Sequence, residues 1–255
     1  MSRGAVILVA ATLLALATPV RAIELPVLDF NAIVRAEGLS PDCALTFDDG
    51  PAPHTPALLD ALAAKSAKAT FFVVGVNVRR HPELVRRMIA EGHEVENHSF
   101  DHPDMRRLNE AERHREILDT QALLESLGAK PRFFRPPYGS YDPALIDQAR
   151  RDGLTVVLWS HDSEDWRYHT VATIEPRVVP PATHGAHGVF LFHDLQPDTV
   201  AIMPAIIDEL RDKGCRFVTV LEWVEDSRAA ARAAPAVRIK ATTPKGWLVV
   251  DPSPN

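Results

Sequence analysis

The sequence predicts an α/β fold in which strands alternate with helices around a parallel sheet, either open or closed into a barrel. Two observations carry this expectation. Seven short β-prone apolar runs recur along the chain, and longer segments of helical period separate them. Breakers mark the junctions, as at Gly50-Pro51 and Gly92.

The first 22 residues, "MSRGAVILVAATLLALATPVRA", contain an early arginine and an uncharged apolar run from Ala5 to Thr18. Pro19 follows, and Val20-Arg21-Ala22 places small or apolar residues where a signal peptidase reads. Residues 1–22 are therefore expected to be a cleaved secretory signal, with the mature chain beginning near Ile23. The fourteen-residue apolar run is shorter than the ~20 residues of a membrane-spanning helix. Export to the periplasm or the medium, with no stable membrane anchor after cleavage, is the expectation.

The expected strands are "CALTF", "ATFFVVG", "HEVEN", "RFFR", "LTVVLW", "GVFLF" and "CRFVTV". Helices are expected around 55–66, 82–91, 108–127, 142–152, 170–178 and 199–213. In "PELVRRMIAEGHEVEN", Leu84, Val85, Met88 and Ile89 form an apolar helical face, Gly92 ends it, and a strand begins. These elements define a domain over 23–228, and an Ala- and Pro-rich tail with no assigned function occupies 229–255.

Without the signal the chain has 26 basic and 34 acidic residues, a formal charge of −8. It lacks runs of Lys and Arg interleaved with aromatics, which argues against nucleic acid as a partner. The roughly 230 remaining residues suit one large domain, expected to be a monomer. Cys43 and Cys215 are the only cysteines. They could be paired, since the first and last strands of a closed barrel adjoin, or be two buried thiols; both readings stay open.

Polar residues gather after the strands: Asp48 and Asp49, then His98 and His102, then Arg135 and Tyr138. Asp162, Asp165 and Trp166 come next, then His193 and Asp194. In parallel α/β folds the C-terminal strand ends share one face, where ligands bind. Adjacent aspartates in "TFDDGP" can serve one site only if the backbone leaves the strand between them, and otherwise they are ordinary turn residues. His98 and His102, four apart, can reach one metal ion if the intervening segment makes a helical turn. With one aspartate they form a two-His, one-Asp donor set. The second aspartate is then free to act as a general base. Arg135 can keep a carboxylate such as Asp48 ionised. His193 can act as an acid, its ring held and its pKa raised by Asp165.

Together "TFDDG", "HSFDH", "RPPYG", "DSEDW" and "LFH" resemble the polysaccharide deacetylases of carbohydrate esterase family 4, the NodB-homology domain, over roughly Cys43 to Glu222. The resemblance implies a distorted (β/α) barrel of about seven parallel strands. It also implies metal-dependent removal of acetyl groups from a sugar. It makes Asp48 the base, and Asp49, His98 and His102 the ligands of one divalent ion, zinc foremost, with cobalt or nickel as alternatives. Arg135 would steady the base, the Tyr138 backbone N–H would donate to the oxyanion, and Asp165 would tune His193, the acid. Tyr138, Trp166 and Leu191 would contact the substrate. His54, His161 and Asp194 receive no role.

An N-deacetylase of an N-acetylglucosamine-containing glycan is the favoured function. Chitin oligomers, peptidoglycan and poly-N-acetylglucosamine all fit as substrates. The alternatives are an O-deacetylase of acetylated xylan and a non-catalytic glycan-binding relative. The latter is expected to have lost a base, ligand or acid, and all are present here.

Overall fold

The computed structural model describes residues 27–28, 42–180, 185–233, 239–242 and 248–250. The segment expected to be a signal, 1–22, lies outside them. All seven expected strands form: β2 (Asp42–Asp48), β3 (Ala69–Val73), β4 (Glu94–Asn97), β5 (Phe133–Phe134), β6 (Thr155–Val157), β8 (Gly188–His193) and β9 (Arg216–Phe217). Two further two-residue strands, β1 (Val27–Leu28) and β7 (His161–Asp162), join the same sheet. The order is β1-β6-β5-β4-β3-β2-β8-β7, with β9 also paired to β2, and every pair is parallel. The sheet curls into a half-barrel, the distorted (β/α) barrel that was expected.

Helices α1 (Thr55–Ala64), α3 (Pro82–Ala90), α4 (Glu110–Ser126), α5 (Pro143–Arg151), α6 (Val171–Val178) and α7 (Pro197–Asp212) occupy the expected segments. Two helices were not foreseen, α2 (Gly75–Arg80) and α8 (Val220–Ala233). The second replaces the end of the expected strand "CRFVTV". A reciprocal cap explains it: Glu222 N donates to Thr219 Oγ1 at 3.2 Å, and Thr219 N donates to Glu222 Oε2 at 2.9 Å. The helix runs past 229, where the sequence suggested a tail, and strands β10 (Ile239–Thr242) and β11 (Leu248–Val250) pair antiparallel beyond it.

Alternation along the strands divides the core. Leu45, Phe47, Phe71, Phe190 and Phe192 face the helices, where Leu58, Met203 and Ile207 meet them. Ala44, Phe72, Phe133, Val157 and Val189 face inward, packed with Trp223 of α8. The inward set continues in step to Thr46 and Asp48 on β2, to Arg135 just past β5, and to Leu191 and His193 on β8. A functional mouth therefore sits on the C-terminal ends of strands whose lower halves are apolar. Among the described residues no helix is long and apolar enough to cross a membrane.

Cys43 and Cys215 form a disulfide, with Cα atoms 5.4 Å apart. Pairing of Asp42 with Arg216 and of Cys43 with Phe217 brings the two segments together. The bond closes a separation of 172 residues, so its loss releases much chain entropy in the unfolded state. Titration of the unfolded, unreduced protein should find no free thiol, and Cys43→Ala/Cys215→Ala should lose about 2–5 kcal/mol in urea unfolding. Two free thiols, or an unchanged unfolding midpoint, would contradict this linkage.

Candidate active site

Asp48 ends β2 with its side chain on the inward face. Asp49 then takes a left-handed backbone conformation, φ 74°, which breaks the strand's alternation and turns the second carboxylate toward the same mouth. Aspartate tolerates this region better than most residues. Asn77 of α2 holds the turn by donating from Nδ2 to the Asp49 carbonyl at 2.8 Å.

His98 follows β4 and is buried. Its Nδ1 lies 2.7 Å from the Arg135 carbonyl, an acceptor only, so Nδ1 donates there and Nε2 is the ring nitrogen turned toward Asp49. The segment from His98 to His102 is not the helical turn the spacing suggested. Ser99 and His102 have φ values of 68° and 59°, and the reversal is tied by Ser99 N to Asn97 Oδ1 and by His102 N to Ser99 Oγ. Both imidazoles nevertheless reach Asp49: His98 Nε2 lies 3.3 Å and His102 Nε2 3.1 Å from its Oδ1.

Donor atoms of Asp49, His98 and His102 lie within 4.8 Å of one another. Despite these short distances, the buried Asp49 Oδ1 makes no hydrogen bond of acceptable geometry among the described residues. Groups aimed at a common point rather than at each other fit a metal ion with nitrogen and oxygen ligands. Burial works against ionising Asp49, but His102 and His98 outweigh it and hold the carboxyl well below its usual range.

Asp48 is committed elsewhere. Arg135 Nη1 donates to Asp48 Oδ1 at 2.7 Å and to Thr46 Oγ1 at 2.8 Å, while Nη2 donates to the Leu158 carbonyl at 3.1 Å. The guanidinium is fully buried and lies over the Phe72 ring, 4.0 Å from its centroid. Burial lowers its pKa and Asp48 opposes that shift.

Across the mouth, His193 is the register partner of Asp48. Its Nδ1 lies 2.6 Å from Asp165 Oδ1, its backbone N donates to Asp165 Oδ2 at 2.8 Å, and Nε2 is left for the cleft. Thr199 Oγ1, in the first turn of α7, adds a third bond to Asp165 at 2.6 Å. Burial disfavours the charged ring, but the bond to Asp165 and the charges of Asp165, Asp48 and Asp49 raise its pKa to about 9. The ring is accordingly protonated at neutral pH.

The cleft measures about 420 Å³. Its lining includes Asp48, Asp49, His98, His102, Tyr138, Trp166, Leu191 and His193, so the expected set converges except for the buried Arg135 and Asp165 behind it. Tyr138 is 70% and Trp166 55% exposed, two aromatic rims beside the buried Leu191. The Tyr138 ring stands edge-on to His102, with centroids 4.7 Å apart. Gly139, at φ 60°, lies so close to Trp159 that a Cβ would stand 2.8 Å from its ring, and both residues line the cleft. Asp162 also lines it, its pKa raised by burial. His161 instead meets the Phe190 ring edge-on, and burial pushes its pKa down to about 4. His54 is exposed beside α1.

Sequence reasoning assigned no role to Asn77 or Thr199, nor to Thr46 within "TFDDG" and Trp159 at the end of "LTVVLW". Thr199 and Asn77 belong to no local pattern and act on residues 34 and 28 positions away. Three donor groups that could hold a metal ion thus lie beside a carboxylate–arginine pair and a carboxylate–histidine pair at the barrel mouth, an arrangement suited to hydrolysis.

The chain belongs to the polysaccharide deacetylase family. The model for that family matches residues 36–157, a span that contains Asp48, Asp49, His98, His102, Arg135 and Tyr138. The peptidoglycan-N-acetylglucosamine deacetylase PgdA of Listeria monocytogenes is 40% identical over 181 residues, covering 70% of this chain and 38% of that protein. This chain thus spans about two fifths of that relative's length. The chitooligosaccharide deacetylase of a Bradyrhizobium strain is 44% identical over 156 residues, covering 60% of this chain and 70% of that one. The structure of the peptidoglycan deacetylase PdaC from Bacillus subtilis superposes with a TM-score of 0.69 at 37% identity, over 76% of this chain and 96% of that one.

Titration of the His193 ring by nuclear magnetic resonance should give a pKa near about 9. In Asp165→Asn it should fall toward the ordinary histidine value of about 6.5, since burial is then opposed only by the charges of Asp48 and Asp49. An unshifted ring in that variant would remove Asp165 from this role.

Proposed function

We propose that the protein is an exported, metal-dependent N-deacetylase of N-acetylglucosamine-containing glycans. The observation that carries this reading is the division of labour at the mouth. One aspartate belongs to a metal cradle, its neighbour is paired with a buried arginine, and a protonated histidine faces them. Relatives named for peptidoglycan and for chitooligosaccharides agree on an N-acetylated sugar and differ on the polymer.

Asp49, His98 and His102 would hold the ion, with zinc suited to two imidazoles and a carboxylate. When bound it supplies a Lewis acid for the acetyl carbonyl and makes a water in the site more acidic. The remaining work belongs to the chain. Asp48, held by Arg135, accepts a proton from the attacking water. The Tyr138 backbone N–H donates to the oxygen that becomes negatively charged. His193 Nε2 then gives its proton to the departing nitrogen, which otherwise would leave as an amine anion. Trp166, Tyr138 and Leu191 supply apolar surface for the acetyl group and the sugar face.

Acetate release should be measured on chitin oligomers, peptidoglycan, poly-N-acetylglucosamine and acetylated xylan, before and after removal of the metal by a chelator. The reading predicts release from at least one N-acetylated glycan, lost on chelation and restored by zinc. Release from xylan alone would favour the ester reading, and none from any glycan with zinc bound would favour a binding protein.

A further inference from the structure

The turn that carries Asp49 is held by two buried side chains with no place in the chemistry above. Thr55 Oγ1 accepts from Ala52 N at 2.8 Å, so its own proton is directed elsewhere, and it lies 2.5 Å from Asp194 Oδ2. Both residues are fully buried. The Asp194 carboxylate lies against Gly50 so closely that a Cβ there would be 2.1 Å from Oδ2 and 2.3 Å from Oδ1. Asp194 Oδ1 has no hydrogen-bond partner among the described residues. Thr55 and packing on Gly50 are therefore what locate this carboxylate.

We propose that Thr55 and Asp194 form a clamp that positions Asp49 for metal binding, an inference that rests on the metal-dependent reading above. Asp49 needs such support, because a non-glycine residue at φ 74° persists only where its surroundings hold it. Asn77 fixes the Asp49 carbonyl and Val74 N fixes the Gly50 carbonyl, both from outside the turn. The clamp secures the other end, at Gly50 and Ala52. It also joins the two halves of the site, since Asp194 directly follows His193, and His193 pairs in register with Asp48. Gly50 is thus required by the carboxylate that fills the space of its missing side chain. Asp194 and Thr55 are positioning residues that touch neither substrate nor ion.

The test is zinc affinity of the full chain, by competition with a chromophoric chelator, alongside thermal unfolding of the metal-free protein. Thr55→Val and Asp194→Ala should each weaken zinc binding by roughly 10–100-fold, the usual effect of removing an outer partner of a metal site. Thr55→Ser keeps the hydroxyl and Asp194→Asn keeps an acceptor for it, so both should bind zinc like the wild type. Should a disrupting variant fail to fold, Gly50→Ala, which drives a methyl group into the carboxylate, reads the same contact. A role confined to stability would lower the unfolding temperature and leave zinc affinity intact, and that result overturns the clamp. Zinc bound equally by wild type and disrupted variants overturns this inference alone, whereas a wild type that binds no zinc overturns the metal reading with it.

Discussion

Arg135 is the constraint on which the site depends. A guanidinium stays charged, and this one lies wholly inside the half-barrel, against Phe72 and beneath the mouth. Such a charge must be paired: removing one partner of a buried ion pair costs about 3–5 kcal/mol. Asp48 is that partner. Its commitment separates two neighbouring carboxylates that would otherwise be equivalent, leaving Asp49 to face His98 and His102. The same arginine acts through its backbone, because its carbonyl accepts from His98 Nδ1 and turns Nε2 toward Asp49. One buried residue thus holds the Asp48 carboxylate and orients the His98 ring.

The opposite wall repeats the logic with the signs reversed. Asp165, fully buried, accepts from the His193 ring, the His193 backbone and Thr199. Three donors thus fix this buried carboxylate, whose hydrogen bond and charge raise the pKa of the imidazole against the effect of burial. Burial alone would have driven His193 the other way, as it does His161, whose pKa falls to about 4. Separate environments for neighbouring titratable groups are how one site holds an anionic base and a cationic acid at the same pH.

Much of this was legible in the sequence, because period-two alternation and strand-end chemistry survive into the fold. Thr46 and Asp48 sit on the inward face for the same reason that Ala44 does. The unread parts have particular causes. In "CRFVTV" the β-prone residues suggested one strand, but Thr219 and Glu222 form a reciprocal helix cap, which prevailed over propensity. In "HSFDH" the four-residue spacing suggested a helical turn, whereas two left-handed residues make an irregular reversal that also brings the rings together. The disulfide stayed open because it depends on β9 reaching β2, a pairing between segments far apart in the chain. Thr199 and Asn77 escaped notice, and Asp194 was given no role, because each acts across the fold, Asp194 on Thr55, where no local pattern marks the partner.

The central claim is that Asp48 and Asp49, adjacent and chemically identical, do different work. Metal content by elemental analysis and acetate release on Asp48→Asn and Asp49→Asn test it most directly. Asp48→Asn should retain its metal and lose roughly 10²–10⁴ in turnover, with no rescue by added zinc. Asp49→Asn should lose metal affinity and regain some turnover in excess zinc. Metal lost from Asp48→Asn but kept by Asp49→Asn with normal turnover would reverse the roles, and full activity in both would contradict the account.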